Sequence, residues 1–300
     1  MHRRSALAGL LLLAALAAGC TSQGNVQAPD LQTLVERDGQ YRLTYDVSRG
    51  GGNYELGLRV FSAGDWHRKE LTISLYDRSV TLSRYSHGPS GISFFCETGN
   101  SPVNASDCRF GSRYEIYFPM LATDPAALAR AGNATFTGMR TVQGRECAGY
   151  RFRFTTGDLY DANATGVNQL NDTLVADTCI DTAQGYVAAM NLSSPNEPST
   201  ETVRIRVSSY TSEVDRAAPP VTFVAQLHCA GSGGYTAELL AVQKGGTATI
   251  TVDGREQQVR LERMQRRTVD IEPLLDGVEN TVDITFNGAT VTRLCPYIDG

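Results

Sequence analysis

The sequence predicts a mainly β protein, in which an antiparallel sheet shaped as an open half-barrel carries two short helices and is followed by a small β-sandwich. Three observations support this prediction: apolar and polar residues alternate along many segments, a proline-rich break divides the chain, and six cysteines follow the first twenty residues. Of the 300 residues, 41% are hydrophobic and 20% are charged, which is typical of a folded globular protein.

The first predicted domain, residues 30–212, is built mostly of strands with period-two patterns. Apolar residues alternate from Tyr41 to Val47 and again from Tyr54 to Val60, as in the two arms of a hairpin with one apolar face. Similar segments recur at Leu71–Leu75, Tyr114–Phe118, Tyr150–Phe154 and Val203–Val207. Arginines occupy the opposite face of the last two segments, which indicates a sheet with one side in water.

Two short helices interrupt these strands. Asp30 is placed to cap a helix that carries Leu31 and Leu34 on one face. Asp124 and Pro125 begin a second helix, which ends at Gly132.

A second domain, residues 222–300, is predicted to follow a stiff linker at residues 213–221 that contains Pro219 and Pro220. Its sequence contains about seven short strands with regularly spaced turns. This pattern predicts the sandwich.

The N-terminus predicts export and lipid anchoring. Arg3 and Arg4 precede an apolar run, and small residues close that run ahead of Cys20. Residues 1–19 resemble a prokaryotic lipoprotein signal, and residues 20–29 then form a lipidated tether. The alternative is an ordinary cleaved signal with a chance cysteine. The predicted location is the extracytoplasmic side of a membrane, at the outer membrane or cell surface.

The remaining six cysteines predict disulfides, since an even number in an exported chain is typical of oxidised pairs. Chain proximity and the domain division favour Cys96 with Cys108, Cys147 with Cys179, and Cys229 with Cys295. A zinc site is the competing interpretation, but there is no C-x-x-C motif and no histidine pair at ligand spacing.

Five N-x-S/T triplets are candidate glycosylation sites, with coincidence in a threonine-rich chain as the alternative. They begin at Asn104, Asn133, Asn163, Asn171 and Asn191. One loop also places oxygen side chains at the spacing of a calcium loop, although an acidic surface loop is the preferred interpretation. Its candidate ligands are Asp161, Asn163, Thr165 and Asp172.

Neither a catalytic function nor a nucleic-acid partner is predicted. No histidine lies in a known hydrolase or metalloprotease motif, and no phosphate-binding glycine loop is present, so no cofactor is expected. The net charge of −5 opposes a basic nucleic-acid surface. An exported hydrolase stays an alternative, because catalytic triads are assembled from distant residues.

The segments at residues 144–154, 179–192 and 203–210 together resemble the meander of the LolA-like lipoprotein-carrier fold. In that superfamily a strand opened by a glycine, here Gly144, is followed by a hairpin with Asp and Gly at its turn, here Asp181 and Gly185. The resemblance covers residues 30–212. It implies an unclosed half-barrel, plugged by helices, whose concave face binds acyl chains.

These observations lead to two function hypotheses. The first is a lipid-anchored binding protein that holds an apolar or lipid-like ligand in its first domain. Its candidate groove residues are Tyr41, Leu43, Tyr45, Leu56, Leu58, Tyr150, Phe152 and Phe154. Two short helices are not expected to cover this whole surface, so part of it should stay exposed or hold ligand. The second hypothesis is a structural or adhesive glycosylated surface protein that binds a protein partner.

Overall fold

A computed structural model describes eleven ranges of the chain. They are residues 27–37, 39–49, 55–75, 78–99, 103–110, 123–155, 173–195, 203–214, 217–229, 234–276 and 279–296. Within these ranges the protein has eighteen strands and two α-helices. The predicted fold class, mainly β with an open antiparallel sheet, two short helices and a small sandwich, is confirmed.

The largest element is an antiparallel sheet of eleven strands in the order β6-β5-β4-β3-β2-β1-β11-β10-β9-β8-β7. Its strands are β1 (Tyr41–Arg49), β2 (Glu55–Ala63), β3 (Trp66–Leu75), β4 (Arg78–His87), β5 (Ile92–Thr98), β6 (Cys108–Arg109), β7 (Asn133–Val142), β8 (Arg145–Thr155), β9 (Thr173–Asp181), β10 (Val187–Ser193) and β11 (Val203–Thr211). Strands β1 to β6 form one meander and strands β7 to β11 form another. Strand β1 pairs with β11, so the two meanders join in the middle of the sheet. The sheet is not closed, and β6 and β7 are its outer strands within the described ranges.

Both helices begin at the predicted caps. Asp30 accepts a hydrogen bond from the Thr33 N–H at the start of α1 (Leu31–Val35). Asp124 accepts from the N–H groups of Ala126 and Ala127 at the start of α2 (Pro125–Ala131), where the proline occupies the first turn. The fully buried side chains Leu34 of α1 and Leu128 of α2 belong to the same apolar cluster as the sheet.

We call the face of the large sheet that carries α1 and α2 the inner face. The register aligns apolar residues along it: Tyr45 is opposite Leu58, Leu58 is opposite Leu71, and Leu71 is opposite Leu82. All four are at most 2% exposed. Side chains alternate between the two faces of a strand, so the residues next to these four along each strand lie on the opposite face of the sheet.

The opposite, outer face is divided into two halves. On β8 and β11 it carries exposed arginines, among them Arg151 and Arg204, as the sequence predicted. On β2 to β5 it carries a second row of large aromatic residues, which includes Phe61, Tyr85 and Phe94. That half is therefore covered by protein and not by water.

The cover is the C-terminal unit, a sandwich of two sheets. One sheet has the order β12-β13-β16 and the other β15-β14-β17-β18. Their strands are β12 (Phe223–His228), β13 (Thr236–Ala241), β14 (Gly246–Val252), β15 (Arg255–Leu261), β16 (Arg266–Asp270), β17 (Glu279–Phe286) and β18 (Ala289–Pro296). The core between the sheets is apolar, and the rings of Phe223 and Phe286 meet there at 5.6 Å. Val224 and Leu240 instead pack against the aromatic row of the large sheet.

Three disulfides join the pairs that chain proximity favoured. Cys96–Cys108 links β5 to β6, and Cys147–Cys179 links β8 to β9. Cys229–Cys295 links the chain just after β12 to β18, and so connects the two sheets of the sandwich. Disulfides of this kind indicate an extracytoplasmic location.

Two sequence predictions have no structural outcome. The predicted strand Tyr114–Phe118 lies outside the described residues, and the exact domain limits stay predictions. In the described part of the chain no helix is long and apolar enough to pass through a bilayer.

Candidate functional site

The groove candidates whose side chains the structure describes lie together on the inner face, and all of them except Tyr41 are buried. Leu43, Leu58 and Phe152 are 0% exposed, and Tyr150 is 4% exposed. Tyr45 and Phe154 are also buried, whereas Tyr41 is only partly covered. The backbone of Leu56 pairs with that of Val47, and its side chain is outside what the structure describes.

Among the described groove candidates only Tyr41 keeps part of its surface exposed, and whether this face takes up a ligand stays a prediction. Leu34 of α1, with Ala127 and Leu128 of α2, packs into the same cluster. Side chains from β9, β10 and β11, such as Met190 and Ile205, fill the rest of it. Two short helices are sufficient to cover this face because the aromatic rings of the sheet also pack against one another. The ring centroids of Tyr150 and Phe136, for example, are 5.7 Å apart.

Helix α1 is held against the sheet at a few defined points. The Tyr150 hydroxyl donates a hydrogen bond to the Pro29 carbonyl, just before the helix. At the turn after β9, Gly185 has φ +76°, and a Cβ there would lie 2.1 Å from the Leu34 carbonyl oxygen. The backbone of α1 therefore rests directly on this turn, and glycine permits both the positive φ and the close approach.

A buried carboxylate fixes that turn. Asp181 is 1% exposed and accepts hydrogen bonds from the N–H groups of Ala183 and Gln184 at 3.0 and 2.8 Å. Arg145 donates to it from Nε at 2.7 Å. Burial and the charge of Asp181 raise the pKa of the Tyr186 hydroxyl, so this tyrosine stays neutral. The predicted Asp and Gly of the hairpin thus have structural roles beneath α1.

An ion pair attaches α2 to the inner face. The Lys69 ammonium on β3 lies 3.4 Å from the Asp124 carboxylate, which also caps the helix. Burial lowers the pKa of Lys69 to about 8, against the opposing charge of Asp124. Burial alone would raise the pKa of Asp124, but the charges of Lys69 and Arg84 outweigh it and hold that pKa well below its ordinary value.

A cavity of about 650 Å³ lies elsewhere, at the junction between the large sheet and the sandwich. We call it the junction cavity. It is lined by Val80, Glu97, Thr98, Gly99, Ser106, Asp107, Cys108, Arg109, Ala225, Gln226, Leu227, Cys229, Arg293 and Leu294. These residues come from β4, β5 and the outer strand β6 of the large sheet, from β12 and β18 of the sandwich or directly after them, and from a short 3₁₀ helix, Ala105–Asp107. Sequence reasoning missed this cavity, because its walls come from two distant parts of the chain.

His87 forms a further polar group, in the turn between β4 and β5. Its Nδ1 lies 2.9 Å from the Ser90 hydroxyl, and its Nε2 lies 3.8 Å from the Asp65 carboxylate. The Ser90 N–H also points to Nδ1, at 3.3 Å, which is a local turn contact. Ser90 is exposed and does not line the junction cavity, so we assign this group a structural role. That the protein is not an enzyme stays a prediction.

The other predicted sites have partial outcomes. Asn104, Asn133 and Asn191 are exposed, as glycosylation requires, whereas Asn163 and Asn171 lie outside the described residues. Cys20 also lies outside them, and so do all four candidate calcium ligands, Asp161, Asn163, Thr165 and Asp172. Across the described ranges no cluster of three metal-binding side chains is present.

No protein-family model matches the sequence, and no curated protein matches it either. Among solved structures, the chain is similar to MucB, at 11% identity over 92% of this chain and 94% of that chain, with a TM-score of 0.39. A complex of Pseudomonas aeruginosa MucA and MucB matches at 11% identity over 87% of this chain and 89% of that chain, with a TM-score of 0.36. LprF from Mycobacterium bovis matches at 10% identity over 64% of this chain and 99% of that chain, with a TM-score of 0.32. At these values the likeness assigns neither a family nor an activity to this chain.

Proposed function

We propose that the chain is an extracytoplasmic binding protein, held at a membrane by a lipid on Cys20, whose first domain takes up an apolar or lipid-like ligand beneath α1. One observation carries the proposal: the aromatic inner face of an unclosed sheet is covered, in the described part of the chain, by helices of only five and seven residues. The fold that the sequence resembles, the LolA-like carrier fold, uses the same face for acyl chains.

Helix α1 is the part of the cover that can move. A five-residue helix is not stable by itself, so its position depends on the contacts that hold it. Those contacts are the burial of Leu34, the hydrogen bond from Tyr150 to Pro29, and the close fit on Gly185. Lifting α1 would open the aromatic cluster without breaking any strand pairing.

The tether connects this cover to the proposed lipid anchor. Pro29 follows Cys20 by nine residues (29 − 20), which span at most about 30 Å when extended. In the anchored protein, α1 would therefore lie within about 30 Å of the bilayer surface. An apolar ligand leaving the membrane would have only a short aqueous distance to cross.

The test uses the fluorescent fatty acid cis-parinaric acid and the substitution Gly185→Ala. The added methyl group cannot fit beneath the Leu34 carbonyl, so α1 must shift away from the sheet. We expect the wild type to bind the probe saturably and Gly185→Ala to bind it faster, because the cover is already displaced.

Gly144→Ala is the matched control. Gly144 has nearly the same backbone conformation, φ +74°, but a Cβ there meets nothing within 4 Å. Gly144→Ala therefore has the same energetic cost of placing alanine at positive φ as Gly185→Ala, but it leaves α1 in place. If neither the wild type nor Gly185→Ala binds the probe while both remain folded, the lipid-binding proposal is wrong.

The anchor is tested separately. Cys20→Ser should release the protein from washed membranes, because the described part of the mature chain has no membrane-spanning helix to replace the lipid. Retention of Cys20→Ser in the membrane fraction would contradict the lipoprotein assignment and would leave the ligand proposal standing.

The second candidate function is a structural or adhesive surface protein that presents its exterior to a partner. The burial of the groove candidates favours it, since a face filled by its own side chains needs no ligand. The exposed sequon residues Asn104, Asn133 and Asn191 are compatible with a glycosylated exterior. This function would be supported over the first if the purified protein carries no lipid and neither of the two glycine variants binds the probe.

A further inference from the structure

The outer face of the large sheet is positively charged along the strands that the sandwich leaves in water. Leu43, Phe152 and Ile205 are buried on the inner face, so their neighbours along the strands point outward. Two aspartates, Asp46 and Asp177, point outward from β1 and β9. Six exposed arginines of β1, β7, β8 and β11 point outward as well, and we call this surface the arginine face. They are Arg42, Arg140, Arg151, Arg153, Arg204 and Arg206.

Only part of this charge is balanced within the face. Arg151 forms an ion pair with Asp177 at 2.8 Å. Arg153 and Arg204 have uncharged residues opposite them on both adjacent strands. These residues are Asn133 and Val175 for Arg153, and Ser48 and Asn191 for Arg204. A guanidinium that has no carboxylate beside it can bind an external phosphate or carboxylate through two parallel hydrogen bonds.

The arginine face is broad, and it has small residues between its arginines. Gly149 lies beneath Arg140, whose Nε is 3.1 Å from the point that a Cβ on this glycine would occupy. At the strand ends, Arg145 and Asp181 form an ion pair at 2.7 Å and add no net charge. A broad sheet face fits a flat charged surface, whereas an extended peptide needs a groove or a free sheet edge.

The tether is long enough to bring this face to the bilayer that holds the anchor. The Tyr150 hydroxyl on β8 binds the Pro29 carbonyl, and β8 is next to β7, the outer strand of the described sheet. Neighbouring strands are about 5 Å apart, and one sheet with its side chains is about 10 Å thick. The residues from Cys20 to Pro29 span at most about 30 Å, which is sufficient to pass around β7 to the outer face.

We propose that the arginine face docks on a bilayer surface containing anionic lipid headgroups and thereby fixes the orientation of the anchored protein. Six arginines against two aspartates leave an excess of four positive charges on this face, whereas the whole chain has a net charge of −5. An anionic surface therefore attracts this face and repels the rest of the protein. The choice of a bilayer rests on the proposed anchor at Cys20, whereas the charge of the face does not.

The test measures cosedimentation of the mature chain carrying Cys20→Ser with lipid vesicles. One set of vesicles contains equal parts of phosphatidylcholine and phosphatidylglycerol, and the other contains phosphatidylcholine alone. Arg204→Glu combined with Arg206→Glu reverses two charges of the arginine face. Arg263→Glu combined with Arg267→Glu is the matched control, because it changes the net charge equally at exposed arginines of the sandwich.

We expect the Cys20→Ser protein to bind the anionic vesicles and not the neutral ones. The β11 variant should bind at least about tenfold more weakly, and the sandwich control should change by less than about twofold. Arg140→Gln combined with Arg153→Gln should also weaken binding, and it keeps the test valid if the glutamates disturb β11.

Salt separates this contact from the lipid anchor. The Debye length falls to about 3 Å at about 1 M salt, so the vesicles should then release the Cys20→Ser protein. Membranes washed at that salt concentration therefore test the anchor alone. Failure of vesicle binding would overturn the docking proposal and would leave the anchor and the ligand proposal standing.

Four outcomes would overturn the proposal. The first is no binding of the folded Cys20→Ser protein to anionic vesicles at about 0.1 M salt. The second is equal weakening in the β11 variant and the sandwich control, which would place the attraction elsewhere. The third is stronger binding to soluble poly-glutamate than to the vesicles, which would make the partner an acidic polypeptide. The fourth is a native protein with glycans on Asn133 and Asn191, which would cover this face.

Discussion

The two faces of the large sheet are covered in different ways. The inner face is closed by elements of its own domain, α1, α2 and the aromatic rings of the sheet. The outer face is in water along β8 and β11 but is covered by the sandwich along β2 to β5. The difference shows that the outer face carries large aromatic residues where the sandwich covers it and exposed arginines where water does.

Paired truncations in the two clusters should give the largest effects. Phe152→Ala on the inner face and Phe94→Ala on the outer face each remove a side chain that is 0% exposed. We expect each to lower the free energy of unfolding by about 3–5 kcal/mol. Phe94→Ala should also loosen the sandwich, so that chemical denaturation shows two transitions instead of one. A single unchanged transition in Phe94→Ala would contradict the assigned contact.

Removing one disulfide from the sandwich and one from the edge of the large sheet should lower the free energy of unfolding by different amounts. Replacing Cys229 and Cys295 with alanine opens a loop of 66 residues, for which the chain-entropy model gives a loss of about 4 kcal/mol. Replacing Cys96 and Cys108 opens a loop of only 12 residues and should cost about 3 kcal/mol. Urea denaturation of both double variants measures the difference. A larger loss of stability on removing Cys96–Cys108 than on removing Cys229–Cys295 would show that strain in the folded protein, or residual structure in the unfolded chain, outweighs loop length.

The ion pair beneath α2 predicts a pH dependence that is specific to the inner face. The pKa of Asp124 is lowered in the folded protein from its ordinary value of 3.8, so its ionised form stabilises the fold above that pH. This contribution is lost as the pH falls below 3.8. Asp124→Asn should cost about 2 kcal/mol at neutral pH, a value reduced for the partial exposure of the carboxylate.

The measurement compares unfolding free energies at about pH 6 and about pH 3. The wild type should lose more stability between the two than Asp124→Asn does. Asp276→Asn is a suitable control, because Asp276 pairs with Arg255 at the surface of the sandwich and its side chain is 68% exposed. An Asp124→Asn profile identical to that of the wild type would contradict a stabilising role for this carboxylate.

The smallest stability effect is expected at the junction cavity. Leu294→Ser should change the free energy of unfolding by less than about 0.5 kcal/mol, because the side chain is 73% exposed and packs little. Thermal unfolding of the variant tests this expectation. A large loss would show that Leu294 belongs to the contact between sheet and sandwich and is not available to a ligand.

Local sequence patterns determined many of the strands and both helices of this protein. Period-two alternation predicted β1, β8 and β11, and the Asp30 and Asp124 caps predicted both helices, because each signal depends on residues a few positions apart. The arginines of β8 and β11 correctly indicated a wet face for the same reason. Chain proximity also favoured the disulfide pairs that the structure contains.

Tertiary structure alone decided how the surfaces are used. The groove candidates with described side chains share one face, but alternation does not tell whether that face is open or filled, because packing of Leu34 and Leu128 from distant helices covers it. The aromatic residues Phe61, Tyr85 and Phe94 lie on the opposite face of the same strands, and only docking of the sandwich explains them. The junction cavity exists because residues more than one hundred positions apart, such as Phe110 and Gln226, meet at the sheet edges. A contact of that range leaves no periodic signal in the sequence.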